Sequence, residues 1–250
     1  MPLQTSLKND LIAFGDLKVW SVLVTIFGDL APSDVDFIPG PVLSALTGQM
    51  GIRPEALRVA LHRLRKDGWI EASKAGRVSH YRLSAHGRAE TEAARHRIYG
   101  PFAPHDTGWF LRIWQDAPAA RIPQGWLDLG RGMYLTPDNP QPSTGWIVAR
   151  LLPGALPDWA ADRLIPQDVC AGYTRLAGIL EAHSPLAPDN LLDALTQRIL
   201  ILHAWRRLIL RHPGACLDLL GPDWPGARSR ILVLRCLKLL PRPDLSQLTL

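Results

Sequence analysis

Seven side chains between residues 53 and 77 have the types and the spacing to hold a polyanion: Arg53, Arg58, His62, Arg63, Lys66, Lys74 and Arg77. Arginine offers a planar fork of donors that matches a phosphate or the O6/N7 edge of guanine, and lysine supplies a point charge. This is the chemistry of recognising a nucleic acid rather than of making or breaking bonds. Elsewhere the chain has no GxSxG elbow, HExxH helix, Walker loop or GxGxxG turn, the spacings that mark nucleophilic, metal-assisted and nucleotide-dependent catalysis. His105–Asp106 and the pair Asp158 and Asp162 are carboxylates and imidazoles in loop contexts, where solvation is the ordinary fate. The expectation is a protein that is not an enzyme and needs no cofactor or metal.

The elements that must position these cations follow from periodicity. Leu57, Ala60, Leu61 and Leu64 recur at i, i+3, i+4 and i+7, a single apolar stripe on a helix that begins at Pro54 and ends at Gly68. Burying that stripe turns Glu55, Val59, His62 and Lys66 outward, flanked by Arg58 and Arg63. Trp69–Ser73 and Val78–Leu83 are extended runs around the basic turn Lys74-Ala75-Gly76-Arg77, the pattern of a β-hairpin. Upstream, Asp16 caps a helix through about Phe27, Pro39-Gly40-Pro41 opens a second over Val42–Thr47, and Gly48–Ile52 turns into the basic helix. Short helix, turn, basic helix and hairpin spell a winged helix-turn-helix. Its helix would enter a major groove, and Lys74 and Arg77 would reach phosphates or the minor groove. Ser84 then caps a connecting helix to about Tyr99, and Gly100–Pro104 marks a boundary.

Charge distribution supports that placement. Residues 53–97 carry 11 basic against 5 acidic side chains, residues 198–242 carry 9 against 2, and the stretches between are net acidic. The first block fits release of counterions from DNA; the second fits more than one use. Three cysteines, Cys170, Cys216 and Cys236, have neither CxxC nor zinc-finger spacing and read as buried thiols of a reducing compartment. The apolar runs are short of the roughly 20 residues a bilayer requires and no signal pattern is visible, so the expectation is a cytoplasmic protein without membrane contact.

After the boundary the character changes. Trp109–Trp114, Gly132–Leu135 and Trp146–Leu151 read as strands and Ile122–Leu129 as a helix, a small α+β unit over 105–155 whose aromatics lack the basic interleaving of a base-stacking surface. Residues 157–250 are helical, with Leu-rich periods over 159–182, 189–212 and 226–240. Met1–Gly15 reads as a loose arm or a short helix.

Three stretches together resemble the PaaX family of transcriptional repressors of phenylacetic acid catabolism. They are Arg58–Leu64 with Gly68-Trp69 and Gly76–Leu83; Gly132-Met133-Tyr134-Leu135-Thr136-Pro137; and His203-Ala204-Trp205-Arg206-Arg207 with Asp223-Trp224-Pro225-Gly226-Ala227-Arg228. The resemblance covers about residues 16–240, and the third stretch is the most specific. Arg211–Cys216 departs from the family's pattern. The resemblance implies a multidomain α+β chain: an N-terminal winged helix-turn-helix (16–99), a small ferredoxin-like α+β middle domain (105–155) and a helical C-terminal domain (157–250). It also implies a homodimer on a double-stranded DNA operator, released by an aryl-acyl-CoA such as phenylacetyl-CoA. A CoA thioester needs cations beside apolar walls, and the C-terminal block supplies both in Trp205, Arg206, Arg207, Arg211, Trp224 and Arg228. For Trp205 and Trp224 the reading as core aromatics that lock the helices is the favoured one, and for Arg206 and Arg207 the two readings stand level. The alternatives are a DNA-binding regulator with another effector or none, and an acyl-CoA-processing enzyme.

Overall fold

Helix α2 (Val19–Leu30) packs against elements from both the N-terminal and the C-terminal parts of the chain, in a computed structural model that describes residues 6–100, 108–114, 126–137, 145–151, 156–184, 186–212, 219–220 and 224–244. Its sequence, VWSVLVTIFGDL, is apolar on more than one side, and Val22, Leu23, Ile26 and Phe27 are all fully buried. A helix of this kind needs cover on several sides. On one side lies the basic helix α4 (Pro54–Lys66), on another the long helix α8 (Leu191–Ile209). The helix begins three residues after Asp16, with Lys18 at its N-terminal boundary.

Ahead of α2, Ser6 caps a short helix α1 (Leu7–Ala13) by accepting from Asn9 N at 3.3 Å, so the leader contains a short helix. After α2 come β1 (Ile38–Pro39), α3 (Gly40–Gln49), α4, and the hairpin β2 (Ile70–Ala75) and β3 (Val78–Leu83). The two-residue strand β1 adds to the outside of β3, pairing Ile38 with Tyr81, to make an antiparallel sheet of order β1-β3-β2. It has no period for the sequence to reveal. Helix α5 (Ala85–Tyr99) follows, capped by Ser84, whose hydroxyl accepts from Gly87 N at 3.0 Å.

The middle unit is a four-stranded antiparallel sheet, β4 (Phe110–Ile113), β5 (Leu127–Gly130), β6 (Met133–Thr136) and β7 (Ile147–Arg150), in the order β5-β6-β4-β7. Here the expectation of a helix over Ile122–Leu129 is corrected: Leu127–Gly130 is a strand, and residues 122–125 lie outside the described residues. The local reason is alternation, since Leu127 and Leu129 are buried while Asp128 between them is exposed.

Among the described residues, four α-helices follow the sheet: α6 (Asp158–Leu164), α7 (Gln167–Ala182), α8 and α9 (Pro225–Leu239). The single period read over 159–182 is divided at Ile165–Pro166, because proline has no N–H to continue α6 and fits the boundary before α7. Among the described residues no helix is long and apolar enough to cross a membrane.

Buried polar links join the two ends. Asp29 of α2, fully buried, takes two bonds from Arg198 of α8 at 2.7 and 2.9 Å, one from Arg242 at 3.0 Å and one from the Tyr99 hydroxyl at 2.8 Å. Arg198 also donates to the carbonyls of Leu237 and Leu240 at the end of α9. Trp205 Nε1 donates to Ile98 O at 2.9 Å, tying α8 to α5. Burial opposes the charge on Asp29, but the two arginines and the tyrosine outweigh it and hold its carboxyl below the usual range.

Candidate nucleic-acid interface

Helix α4 is placed by its apolar stripe: Leu57, Ala60, Leu61 and Leu64 are buried, and the helix packs on α2 and α3. The turn from α3 passes through Gly51 at φ 75°, with Ile52 N bonded to Thr47 O at 3.0 Å. At the far end Gly68 adopts φ 74°; Trp69 N reaches Leu64 O at 2.8 Å and Gly68 N reaches Arg65 O at 3.1 Å, the pair of bonds that closes a helix on a left-handed residue. Both ends of α4 are therefore set by backbone geometry, and its outer face is left to solvent.

That face carries Arg53, Arg58, His62, Arg63 and Lys66, all exposed. Arg58 bonds Glu55 at 2.8 Å and Arg63 lies 3.5 Å from Asp67, both open pairs that cost little to exchange for phosphate or a base edge. Val59, 70 % exposed among these cations, is apolar surface of the kind that meets a thymine methyl. Arg65 is also exposed at the C-terminal end of the helix; the hydrophobic period marks it as solvent-facing, and only the fold adds it to the same basic surface.

The hairpin extends the surface. Five of the six residues of β2 are exposed, and Gly76 and Arg77 form the two-residue turn between the paired Ala75 and Val78. Gly76 at φ 62° supplies the left-handed position such a turn requires first. Lys74 and Arg77 are exposed at this tip. Ser84 Oγ donates to Gly68 O at 2.5 Å and Ser84 N donates to Trp69 O at 3.0 Å, so the root of the hairpin is tied to the end of α4. All seven cations and imidazoles singled out at the start thus lie on α4 or the adjoining hairpin, anchored to one another by backbone.

The six C-terminal residues do not converge. Trp205 is fully buried and Trp224 nearly so, and each packs against Tyr173, at ring centroid distances of 5.7 and 5.0 Å, in a cluster that includes His212. Arg206 runs beneath α2 and donates to Ser21 O, Ser21 Oγ and Thr25 Oγ1, each at 3.3 Å. The cavity it borders holds about 50 Å³, too small for a CoA thioester. Arg228 makes a bidentate pair with Glu181 at 2.8 and 2.9 Å. Arg207 and Arg211 alone share an open cleft, together with Arg175 of α7, which no local motif distinguishes in the sequence.

Two family models match, one described as PaaX-like protein over residues 18–87 and one as PaaX-like protein C-terminal domain over residues 167–244. The chain belongs to the PaaX family. The first match spans α2 through the hairpin and the start of α5; the second spans α7 to α9. The chain is 26 % identical over 245 residues to the transcriptional repressor PaaX of Escherichia coli strain K12, covering 85 % of this chain and 77 % of that protein. In fold it is similar to the uncharacterized protein Rv0674 from Mycobacterium tuberculosis, with a TM-score of 0.51, 20 % identity, and coverage of 90 % of this chain and 96 % of the other.

Proposed function

We propose that this protein is a sequence-specific transcriptional repressor that binds double-stranded DNA as a homodimer and is released by an aryl-acyl-CoA of the phenylacetyl-CoA type. The observation that carries the reading is a helix held by four buried residues on one face, with arginine, lysine and histidine exposed on the other, backed by a basic two-residue hairpin tip. In this reading α2, α3 and α4 with β2 and β3 form a winged helix over 16–99. The middle unit over 105–155 is ferredoxin-like, in keeping with its antiparallel order β5-β6-β4-β7, and residues 157–250 form the helical third domain. Helix α4 reads base edges through Arg58, His62 and Arg63, while Arg53, Lys66, Lys74 and Arg77 contact phosphates. Two copies present their α4 helices to half-sites about 34 Å apart. A CoA thioester lowers operator affinity by favouring a dimer geometry that no longer matches that spacing.

A mobility shift of the protein on its own upstream DNA, at fixed salt and with phenylacetyl-CoA titrated in, tests the reading. A sequence-specific shift that the thioester dissolves is the expected result. A shift that survives the thioester removes the effector from the proposal, and absence of any specific shift removes the repressor.

A further inference from the structure

Residues 14–18 join α1 to α2, and three guanidinium groups gather around this hinge. Arg175 of α7 donates to Ala13 O at 2.9 Å and Phe14 O at 3.4 Å, and its charge lies 5.3 Å from the centre of the Phe14 ring. Arg207 of α8 donates to Asp16 O at 3.0 Å. Arg211, one turn further on, pairs with Asp168 at 2.7 Å across exposed side chains. These groups line a cleft of about 300 Å³ whose lining includes a single carboxylate, Asp168. Three cations therefore face a concave space against one anion. Among the described residues, Arg175 and Arg207 meet neutral carbonyls and, for Arg175, the Phe14 ring, with no carboxylate bonded to either.

Glycine permits close approach at two points around the cleft. A Cβ at Gly15 would stand 2.5 Å from Arg207 Nη1, and one at Gly172 would stand 2.6 Å from the Leu208 side chain. A side chain at position 15 would displace the Arg207 guanidinium, and one at position 172 would press on Leu208 in the cleft wall.

We propose that this cleft is a phosphate-binding site for a small ligand bearing a diphosphate or nucleotide group, and that occupancy is passed through the α1–α2 hinge to α4. A phosphate oxygen carries a charge that a carbonyl lacks and accepts two parallel bonds from a guanidinium, so a bound diphosphate draws Arg175 and Arg207 away from the carbonyls of Ala13, Phe14 and Asp16. Those bonds hold the residues that lead directly into α2, and α2 is the helix on which α4 packs. A ligand that binds better when the hinge is released shifts α2 and with it the helix that faces DNA. The transmission to DNA rests on the repressor reading; the anion site does not. It draws Arg207 and Arg211 into one site, adds Arg175, and leaves Trp205, Trp224 and Arg228 to packing and an ion pair.

Calorimetric titration of the full chain with sodium pyrophosphate, free coenzyme A and phenylacetyl-CoA tests it, with Arg211→Gln and Arg175→Gln compared with the unaltered protein at one ionic strength. All three probes should bind the unaltered chain, and each substitution should weaken them tenfold or more with circular dichroism unchanged. Arg211→Gln, which among the described residues removes one ion pair, with the exposed Asp168, should also hold operator DNA as before yet need at least tenfold more thioester for release. Undiminished binding in both variants overturns the proposal, as does failure of the unaltered chain to bind pyrophosphate or coenzyme A. Loss of operator affinity without ligand, with a flatter salt dependence, would assign these arginines to the DNA backbone and overturn it too. Arginine-dependent pyrophosphate binding in a chain that shifts no DNA would leave the anion site standing and remove the repressor.

Discussion

At the scale of single residues, the cations of α4 and of the hairpin tip should separate by what they touch. Arg58→Ala or Arg63→Ala should weaken operator binding by about 1 to 3 kcal/mol and relax preference at one base position, read by mobility shifts on a panel of single-base operator variants. Arg77→Ala should instead weaken binding equally across that panel and reduce the slope of log affinity against log salt by about 0.9. Equal affinity in all three variants would sink the assignment of this face to DNA. A different residue governs acid stability. His203 is buried beneath α2, where the Thr25 hydroxyl donates to Ser21 O and so accepts from Nδ1 at 3.1 Å. Burial, with the charges of Arg206 and Arg207 beside it, lowers its pKa to about 3. Above pH 6.5 both folded and unfolded chains hold it neutral. Below that the unfolded chain takes up a proton that the folded one refuses until about pH 3, so stability should fall as pH drops through this window, by at most about 1.4 kcal/mol per pH unit from this group. Denaturant titrations from pH 7 to 4 should show a shallower slope in His203→Gln; an unchanged slope would assign the acid lability to other groups.

At the scale of elements, two glycines fix how α4, the hairpin and α5 meet, for different reasons. Gly68 has open space around a potential Cβ but sits at φ 74°, so Gly68→Ala should cost about 1 to 2 kcal/mol of backbone strain and leave the packing intact. Gly87 lies in ordinary helical backbone, yet a Cβ there would stand 2.2 Å from Trp69 O. Backbone cannot yield as a flexible side chain does, and Gly87→Ala should cost about 3 kcal/mol and displace α5 from the root of the hairpin. Thermal denaturation of both variants checks the order; a Gly87→Ala protein as stable as the parent would show that α5 does not dock closely.

At the scale of the molecule, Asp29 binds the N-terminal helices α2 and α5 to the C-terminal helix α8 and to Arg242. Removing its charge leaves Arg198, 5 % exposed, with a buried guanidinium and no counter-ion. Asp29→Asn should therefore cost about 3 to 5 kcal/mol, the range for breaking one side of a buried pair. Because the same carboxylate joins α2, α5 and α8, loss of tryptophan fluorescence and of helical circular dichroism should coincide in the parent protein and separate in the variant. Coincident transitions in both would mean that other contacts couple the two ends.

How much was legible in the sequence follows from range. The stripe Leu57, Ala60, Leu61, Leu64, the glycine that ends α4, the basic Gly76 turn and the Ser84 cap are all local, and each dictated its element and the outward direction of Arg53, Arg58, His62, Arg63, Lys66, Lys74 and Arg77. Periodicity and capping act over a few residues, so local sequence pattern carried the candidate DNA face. Leu127–Gly130 was misread because four residues give too short a sample to separate a strand from a helix turn, and β1 exists only because β3 lies beside it. The pairing of Asp29 with Arg198 spans 169 residues, and that of Arg175 with the α1 carbonyls 162. Contacts at such separations depend on which faces meet in three dimensions. The sequence by itself determined which helix turns its cations to solvent; only the tertiary structure decided which arginines are buried partners of the core and which line an open cleft.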